Sequence, residues 1–286
     1  MEEWATSHTD SGVDIARAQW RNRRHIAMIS MEQRPGGLPV TEAPLRPHKD
    51  LPDFYARREG RTEFVTRLFD GTARYYDRIS AALSFGTCRV YRKMALRRAG
   101  LEPKMRMLDV ATGTGLVAQA ALDLGLSPDR VTGVDPSRGM LEENRKARSI
   151  QLVQGRGESL PFPDSSFDFV SMGYALRHVE DLGMLFRELH RVLKPGGRVL
   201  VLEIVRPESR LVFAIAKFYL NRLLPAVARL VTGNREAGQL LKFYWATIAE
   251  CVPPQSILSA LAGSGFAQVE RRKMGSVLSD YFALKD

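Results

Sequence analysis

A chain of 286 residues with 44% hydrophobic content and a net charge of +10 can fill a sizeable core and is a folded globular protein. Two cysteines, Cys88 and Cys251, are too few for a disulfide framework and fit a reducing, cytosolic compartment. No uncharged apolar run of about 18 residues is present, so no spanning helix is expected; Glu2, Glu3 and Asp10 argue against a secretory signal or a mitochondrial presequence.

Residues 1–60 read as an irregular leader, because Pro35, Pro39, Pro44, Pro47 and Pro52 recur with little apolar periodicity. A short helix is expected there around residues 13–31. Nine Lys/Arg offset nine Asp/Glu in this leader, so the basic excess belongs to residues 61–286. Such a body suits nucleic acid, an anionic membrane surface or an anionic substrate, or simply a solvated basic face.

From Arg61 the pattern changes. Phe64, Leu68, Phe69 and Tyr76 have roughly helical spacing. "MRMLDV" reads as a strand, and "ATGTGLVAQAALDLG" as a tight turn opening a helix. "RVTGVD", "IQLVQG" and "FDFVSMGYA" read as three more strands. Leu182, Leu185, Phe186, Leu189 and Leu193 share one helical face that "PGG" ends, and "RVLVLEIV" is a fifth strand, apolar enough for the interior of a parallel sheet. Strands alternating with helices predict a doubly wound α/β fold. After Arg206 an apolar and basic stretch interrupts the alternation and predicts a helical cover over about residues 207–250.

The chemistry starts at "LDVATGTG". Gly113 and Gly115 let the backbone turn tightly beside a ligand, and the following helix offers free N–H groups to a carboxylate. Asp109, at the strand end, can take an ammonium group. Asp135 ends the next strand about 20 residues on, where an acid reaches ribose hydroxyls. The third glycine of the dinucleotide fingerprint and the lysine of a P-loop are both missing. A nucleoside carrying an amino-acid tail fits better than a pyrophosphate.

With "YYDRISAALSFGTCRVYRK", "SLPFPDSSFD", "GYALRHVED" and "HRVLKPGGRVLVLEIVRP", the sequence resembles the class I S-adenosylmethionine-dependent methyltransferases. Within them it resembles the ubiquinone/menaquinone biosynthesis C-methyltransferase (UbiE-type) family, from about residue 64 onward. The resemblance implies a seven-stranded, mostly parallel, Rossmann-like sheet and S-adenosyl-L-methionine as cofactor. It assigns Asp109, Gly113, Thr114 and Gly115 to the methionine part, Asp135 to the ribose, and Met140 to the adenine or, equally, to the core. Arg156 stands where the family has Asp or Asn. Either Arg156 stacks on the adenine, or the N–H of Gly157 serves alone.

The implied reaction is methyl transfer to a ring carbon of a polyprenyl quinol or related phenol in quinone biosynthesis; O- or C-methylation of a soluble aromatic is the alternative. Tyr76 matches the family's active-site tyrosine and Arg177 its arginine, here expected to steady a phenolate or orient a water. His178 replaces an Asn and is the candidate base; the structural alternatives are a buried Arg177–Asp181 ion pair and a helix-capping His178. Ser80, Cys88 and Tyr91 also depart from the family on the presumed substrate side.

Phe213, Phe218, Tyr219, Leu223, Leu224 and Val227 are expected to line a groove for a polyprenyl tail, with Lys217, Arg222 and Arg229 toward anionic headgroups. The implied setting is cytoplasmic, peripheral to a membrane. A homodimer is compatible with the sequence. No base-flipping motif or RNA-binding module supports a nucleic-acid substrate, and no metal site is expected.

Overall fold

Strands β1 (Met107–Val110), β2 (Val131–Asp135), β3 (Gln151–Gln154), β4 (Phe167–Gly173) and β5 (Leu193–Ile204) run parallel, with β6 (Ala267–Met274) and β7 (Leu278–Leu284) completing the sheet in the order β3-β2-β1-β4-β5-β7-β6. β7 runs against the other strands, pairing antiparallel with β5 and with β6. This computed structural model describes residues 44–286 apart from 56, 85, 233 and 234. The expected helix at 13–31 lies outside the described residues.

The central strands are mainly apolar because both faces are covered. On β5, Val199 and Val201 enter one core while Leu200 and Leu202 enter the other, as the two-residue pleat requires. Helices α1 (Arg61–Ser84) and α2 (Thr87–Arg98) precede the sheet; α3 (Leu116–Leu122), α4 (Arg138–Ala147) and α5 (Leu182–Val192) follow β1, β2 and β4. On α5 the expected face is buried through Leu182, Leu185, Phe186 and Leu189. Asp181 caps it by accepting from the N–H groups of Gly183 and Met184. The capping role considered for His178 therefore belongs to Asp181.

The cover comprises α6 (Arg210–Phe218), a wider π-turn (Tyr219–Leu223), α7 (Leu224–Thr232) and α8 (Arg235–Ala249); α9 (Pro254–Gly263) then leads back to the sheet. Phe243, Leu240 and Leu241 of α8 pack against Phe64, Val65 and Leu68 of α1. Leu51 and Tyr55 are buried in the same cluster. His48 bridges to Cys251, and the compact unit runs Pro44–Asp286. Residues 44–60, expected in the leader, thus pack as part of this unit.

Candidate active site

The carboxyl ends of β1, β2 and β4 meet where the turn after β1 enters α3. Asp109 is 1% exposed; Ser171 Oγ donates to one of its oxygens at 2.5 Å and Thr112 Oγ1 to the other at 2.7 Å. Burial outweighs these bonds and raises its pKa to about 6. Asp135 accepts from the backbone N–H groups of Gly113 and Ser137, each at 2.8 Å, and burial likewise pushes it up to about 6. Thr114 Oγ1 donates to Asp77 of α1 at 2.5 Å. Gly115 has φ +86°, and a Cβ there would meet Asn144 Oδ1 at 2.5 Å. Asn144 is fully buried and donates to the Gly113 carbonyl at 3.2 Å, holding the turn from beneath.

A cleft of about 110 Å³ runs along these strand ends, lined by Gly113, Asp135, Met140, Arg156, Gly157 and His178 among others. Arg156 reaches Glu180 at 3.2 Å and Glu158 at 3.6 Å, so its charge is compensated on the cleft wall. Thr62 of α1 donates to the same Glu180. At the Asp109 end lies a smaller pocket of about 30 Å³ that includes Thr112, Gly113 and Thr114.

Beside the cleft is a larger, mainly apolar cavity of about 330 Å³ whose wall includes Tyr76, Ser80, Cys88, Arg92, Arg177 and Tyr244. Tyr76 and Tyr174 line all three spaces, so these two rings are walls common to them. Tyr244 donates from its hydroxyl to that of Tyr76 at 3.0 Å. Burial raises the pKa of Tyr76, which keeps its hydroxyl protonated. Tyr174 sits at φ +61°, a costly conformation for a bulky side chain and one found mainly at functional sites.

Arg177 and His178 occupy a short 3-10 turn and face different spaces. Arg177 lines the large cavity, donates from Nε to Glu203 at 2.9 Å and from Nη1 to Thr247 Oγ1 at 2.7 Å. The considered pair with Asp181 is replaced by this one with Glu203. His178 lines the cleft of about 110 Å³ and not the large cavity. Its ring stacks on Phe243 and Tyr244 and meets Phe69 edge-on. Both ring nitrogens are buried without a hydrogen-bond partner among the described residues. Desolvation, with the positive charge of Arg177 and Arg61 behind it, holds its pKa well below the usual histidine range. The base role expected for His178 toward a phenol is not matched by its position, since its ring lines the narrower cleft with Tyr76 and packs on Tyr244.

The profile of the ubiE/COQ5 methyltransferase family matches residues 57–285. The chain belongs to the ubiE/COQ5 methyltransferase family. A demethylmenaquinone methyltransferase of Mycolicibacterium paratuberculosis is 37% identical over 73% of this chain and 88% of its own length. One from Corynebacterium efficiens is 41% identical over 60% of this chain and 74% of its own. A ubiquinone/menaquinone biosynthesis C-methyltransferase of Shewanella sediminis is 32% identical over 76% and 88%. Among solved structures, a possible histamine N-methyltransferase from Thermotoga maritima matches at a TM-score of 0.56 with 22% identity, covering 77% of this chain and 99% of its own. That likeness is one of fold.

As a ubiE/COQ5 methyltransferase the protein is an S-adenosylmethionine-dependent enzyme with the class I sheet. Its residues fit that cofactor: a Cβ at Gly113 would meet nothing within 4 Å, leaving room for a ligand against the turn, and two buried carboxyls stand at adjacent strand ends. Tyr174, Tyr244, Arg92 and Asp77 join the site without having been expected from the sequence. Arg92 carried a usable signal, falling four residues after Cys88 on one helix face; Asp77 sits beside Tyr76 in "YYD".

Proposed function

We propose that the enzyme transfers a methyl group to a ring carbon of a polyprenyl quinol, a naphthoquinol of the demethylmenaquinol type first and a benzoquinol second. The observation that carries this reading is the apolar cavity of about 330 Å³ that shares the walls Tyr76 and Tyr174 with the cleft assigned to the cofactor. The names of the Corynebacterium and Mycolicibacterium relatives support the naphthoquinol.

In this reading Asp109 takes the ammonium of S-adenosyl-L-methionine, the turn at Gly113, Thr114 and Gly115 faces its methionine part, and Asp135 accepts from the ribose hydroxyls. Met140 and Gly157 flank the adenine, and Arg156, tied to Glu158 and Glu180, closes that end. When bound, the cofactor supplies an electrophilic methyl group on its sulfonium. The chain's own work is alignment and exclusion of water. Tyr76, kept protonated, donates toward the substrate oxygen at the junction. Arg177 steadies the phenolate, and the phenolic proton leaves to water. We give His178 no base role, because its ring is on the cofactor side; it fills an aromatic box there.

We assign the setting as cytoplasmic, at an anionic membrane surface. Leu211, Ile215 and Phe218 expose 59% or more of their surface, with Lys217 nearby on the same helix. We assign this face to lipid and not to a second copy of the chain.

The test is incubation of the full chain with S-adenosyl-L-methionine and a chemically reduced, short-tailed demethylmenaquinone, with the product read by mass spectrometry and NMR. The expected product carries one new methyl group on a ring carbon. A product methylated on oxygen, or equal turnover of tail-less phenols, overturns the reading.

A further inference from the structure

Arg92 is a buried cation that the reading above does not use. It lies on α2 and is 6% exposed. Its side chain lines both the large cavity and the small pocket at Asp109, where substrate and the methionine end of the cofactor would meet. Its one hydrogen bond to a side chain, from Nη2 to Ser80 Oγ, is long at 3.4 Å. Its guanidinium carbon stands 5.3 Å from the centre of the Tyr174 ring. Its Nε is buried with no partner, and no carboxylate among the described residues forms an ion pair with it.

Arg177, on the wall of the same cavity, shows the contrast. Its charge is neutralised by Glu203, and its Nη1 is satisfied by Thr247. A buried charge is costly unless it is paired. Asp109 feels Arg92 electrostatically, yet its two oxygens are bonded to Ser171 and Thr112. The fold thus keeps one uncompensated guanidinium at the junction of the two ligand spaces. A ligand that brings negative charge there supplies the missing partner.

We propose that Arg92 binds the ionised oxygen of the aromatic substrate. This rests on the reading that the substrate is an ionisable phenol. The phenol, rather than the cofactor's carboxylate, is assigned because Ser80, which the guanidinium leans on, lines the large cavity and not the pocket at Asp109. A cation beside the oxygen favours the charged form and lowers the phenol's pKa, so phenolate forms without a strong base. The O–H proton passes to water, and the freed electron pair is delocalised onto the ring. The ring carbon then forms the new C–C bond as the methyl–sulfur bond breaks, that bond's electron pair staying on sulfur. The C–H proton at that carbon leaves to water, which restores the aromatic ring. Arg177, already neutralised by Glu203, contributes less to this field than Arg92.

The probe is 4-nitrophenol, whose ionised form absorbs in the visible, titrated into the full chain saturated with S-adenosylhomocysteine. Wild type is expected to bind the ionised form at least about tenfold more tightly than the neutral one, a bound pKa lowered by about one unit or more. Arg92→Gln is expected to lose that preference and Arg92→Lys to keep part of it, with S-adenosylhomocysteine affinity within about twofold throughout. Thermal melting of each variant identifies any that fail to fold; if Arg92→Gln does, Arg92→Lys and the wild-type titration still decide. An unchanged preference in Arg92→Gln overturns the proposal, as does a wild type that binds both forms equally. A loss of S-adenosylhomocysteine affinity of about tenfold in Arg92→Gln also overturns it, moving the cation to the cofactor's carboxylate. A wild type that binds nitrophenolate through Arg92 yet methylates no quinol overturns the quinol reading and leaves this one standing.

Discussion

Glu203 of β5 accepts from Arg177 Nε at 2.9 Å, in an ion pair whose side chains are 0% and 1% exposed. Arg61 holds the same turn from the other side, donating to the carbonyl oxygens of Arg177 at 3.0 Å and His178 at 3.3 Å. Two arginines and one glutamate therefore fix the end of β4 at the cavity wall.

Removing one partner of such a pair leaves a buried charge uncompensated. Glu203→Gln is expected to lower stability by about 3–5 kcal/mol, read by urea unfolding, while Arg177→Met with Glu203→Leu recovers most of it. That double variant then isolates function. If Arg177 acts on the substrate, turnover falls by at least about tenfold in a well-folded protein. Full turnover would leave Arg177 with a purely structural role.

The two glycines of the turn after β1 differ in what surrounds them. Gly113 has φ +54° and open space where a Cβ would go, whereas Gly115 has φ +86° and Asn144 in the way. Gly113→Ala is expected to cost about 1–2 kcal/mol, the left-handed backbone alone. Gly115→Ala adds displacement of a buried side chain and should cost about 2–4 kcal/mol. Urea unfolding that ranks the two the other way would refute this account of the turn.

The raised pKa values of Asp109 and Asp135, both about 6, give stability and binding opposite pH trends. Each carboxyl is easier to protonate folded than unfolded. Its contribution to stability is full below the ordinary carboxylate range near pH 4 and is lost as pH rises through about 6. Pairing with an ammonium needs the ionised form, so S-adenosylhomocysteine affinity should instead rise between about pH 5 and about pH 7.5. Asp109→Asn is expected to flatten that rise, because a protonated Asp135 still accepts hydrogen bonds from hydroxyls. Calorimetric titration across this range checks both signs. A variant that keeps the wild-type rise removes Asp109 from the ammonium.

How much of this was legible in the sequence follows from how local each signal is. Strands β1, β2, β4 and β5 were readable because buried parallel strands are mainly apolar, β3 from its place in the alternation of strands and helices, and Asp109 and Asp135 because strand ends place them. The facing of neighbours was not. Arg177 and His178 are adjacent in sequence, yet a tight 3-10 turn directs them to different cavities. Glu203 and Tyr244 act through contacts across 26 and 168 residues of chain, which no periodicity records. The boundary at Pro44 was hidden because Leu51 and Tyr55 are too sparse to show a pattern. In the cover, Phe218, Leu223 and Val227 were expected to line the tail groove, but the exposed surface claims them. Tyr219, expected there too, does line the large cavity, with Ala216 and Leu220 beside it.

That exposed face carries the last prediction. Among the described residues Arg210–Ala228 is the one helix long and apolar enough to cross a membrane by length and composition, though Lys217 and Arg222 interrupt it. Leu211, Ile215 and Phe218 fall at helical spacing, and the π-turn Tyr219–Leu223 widens the next step to five residues. Leu223 and Val227 thereby stay on the same exposed side. An amphipathic helix with this apolar stripe and basic residues beside it lies in the interface plane, gaining from buried area and from anionic lipid together. Leu211→Ser with Phe218→Ser should weaken co-sedimentation with vesicles containing phosphatidylglycerol by at least about tenfold, given about 1.5–3 kcal/mol for each large side chain buried. Lys217→Gln with Arg222→Gln should weaken it by about 1 kcal/mol per charge at low salt and little at high salt. Neither pair lines the large cavity through the altered residues, so turnover of a tail-less quinol in solution should be unchanged. Binding that ignores both salt and the serine variants would show that lipid does not seat on this helix.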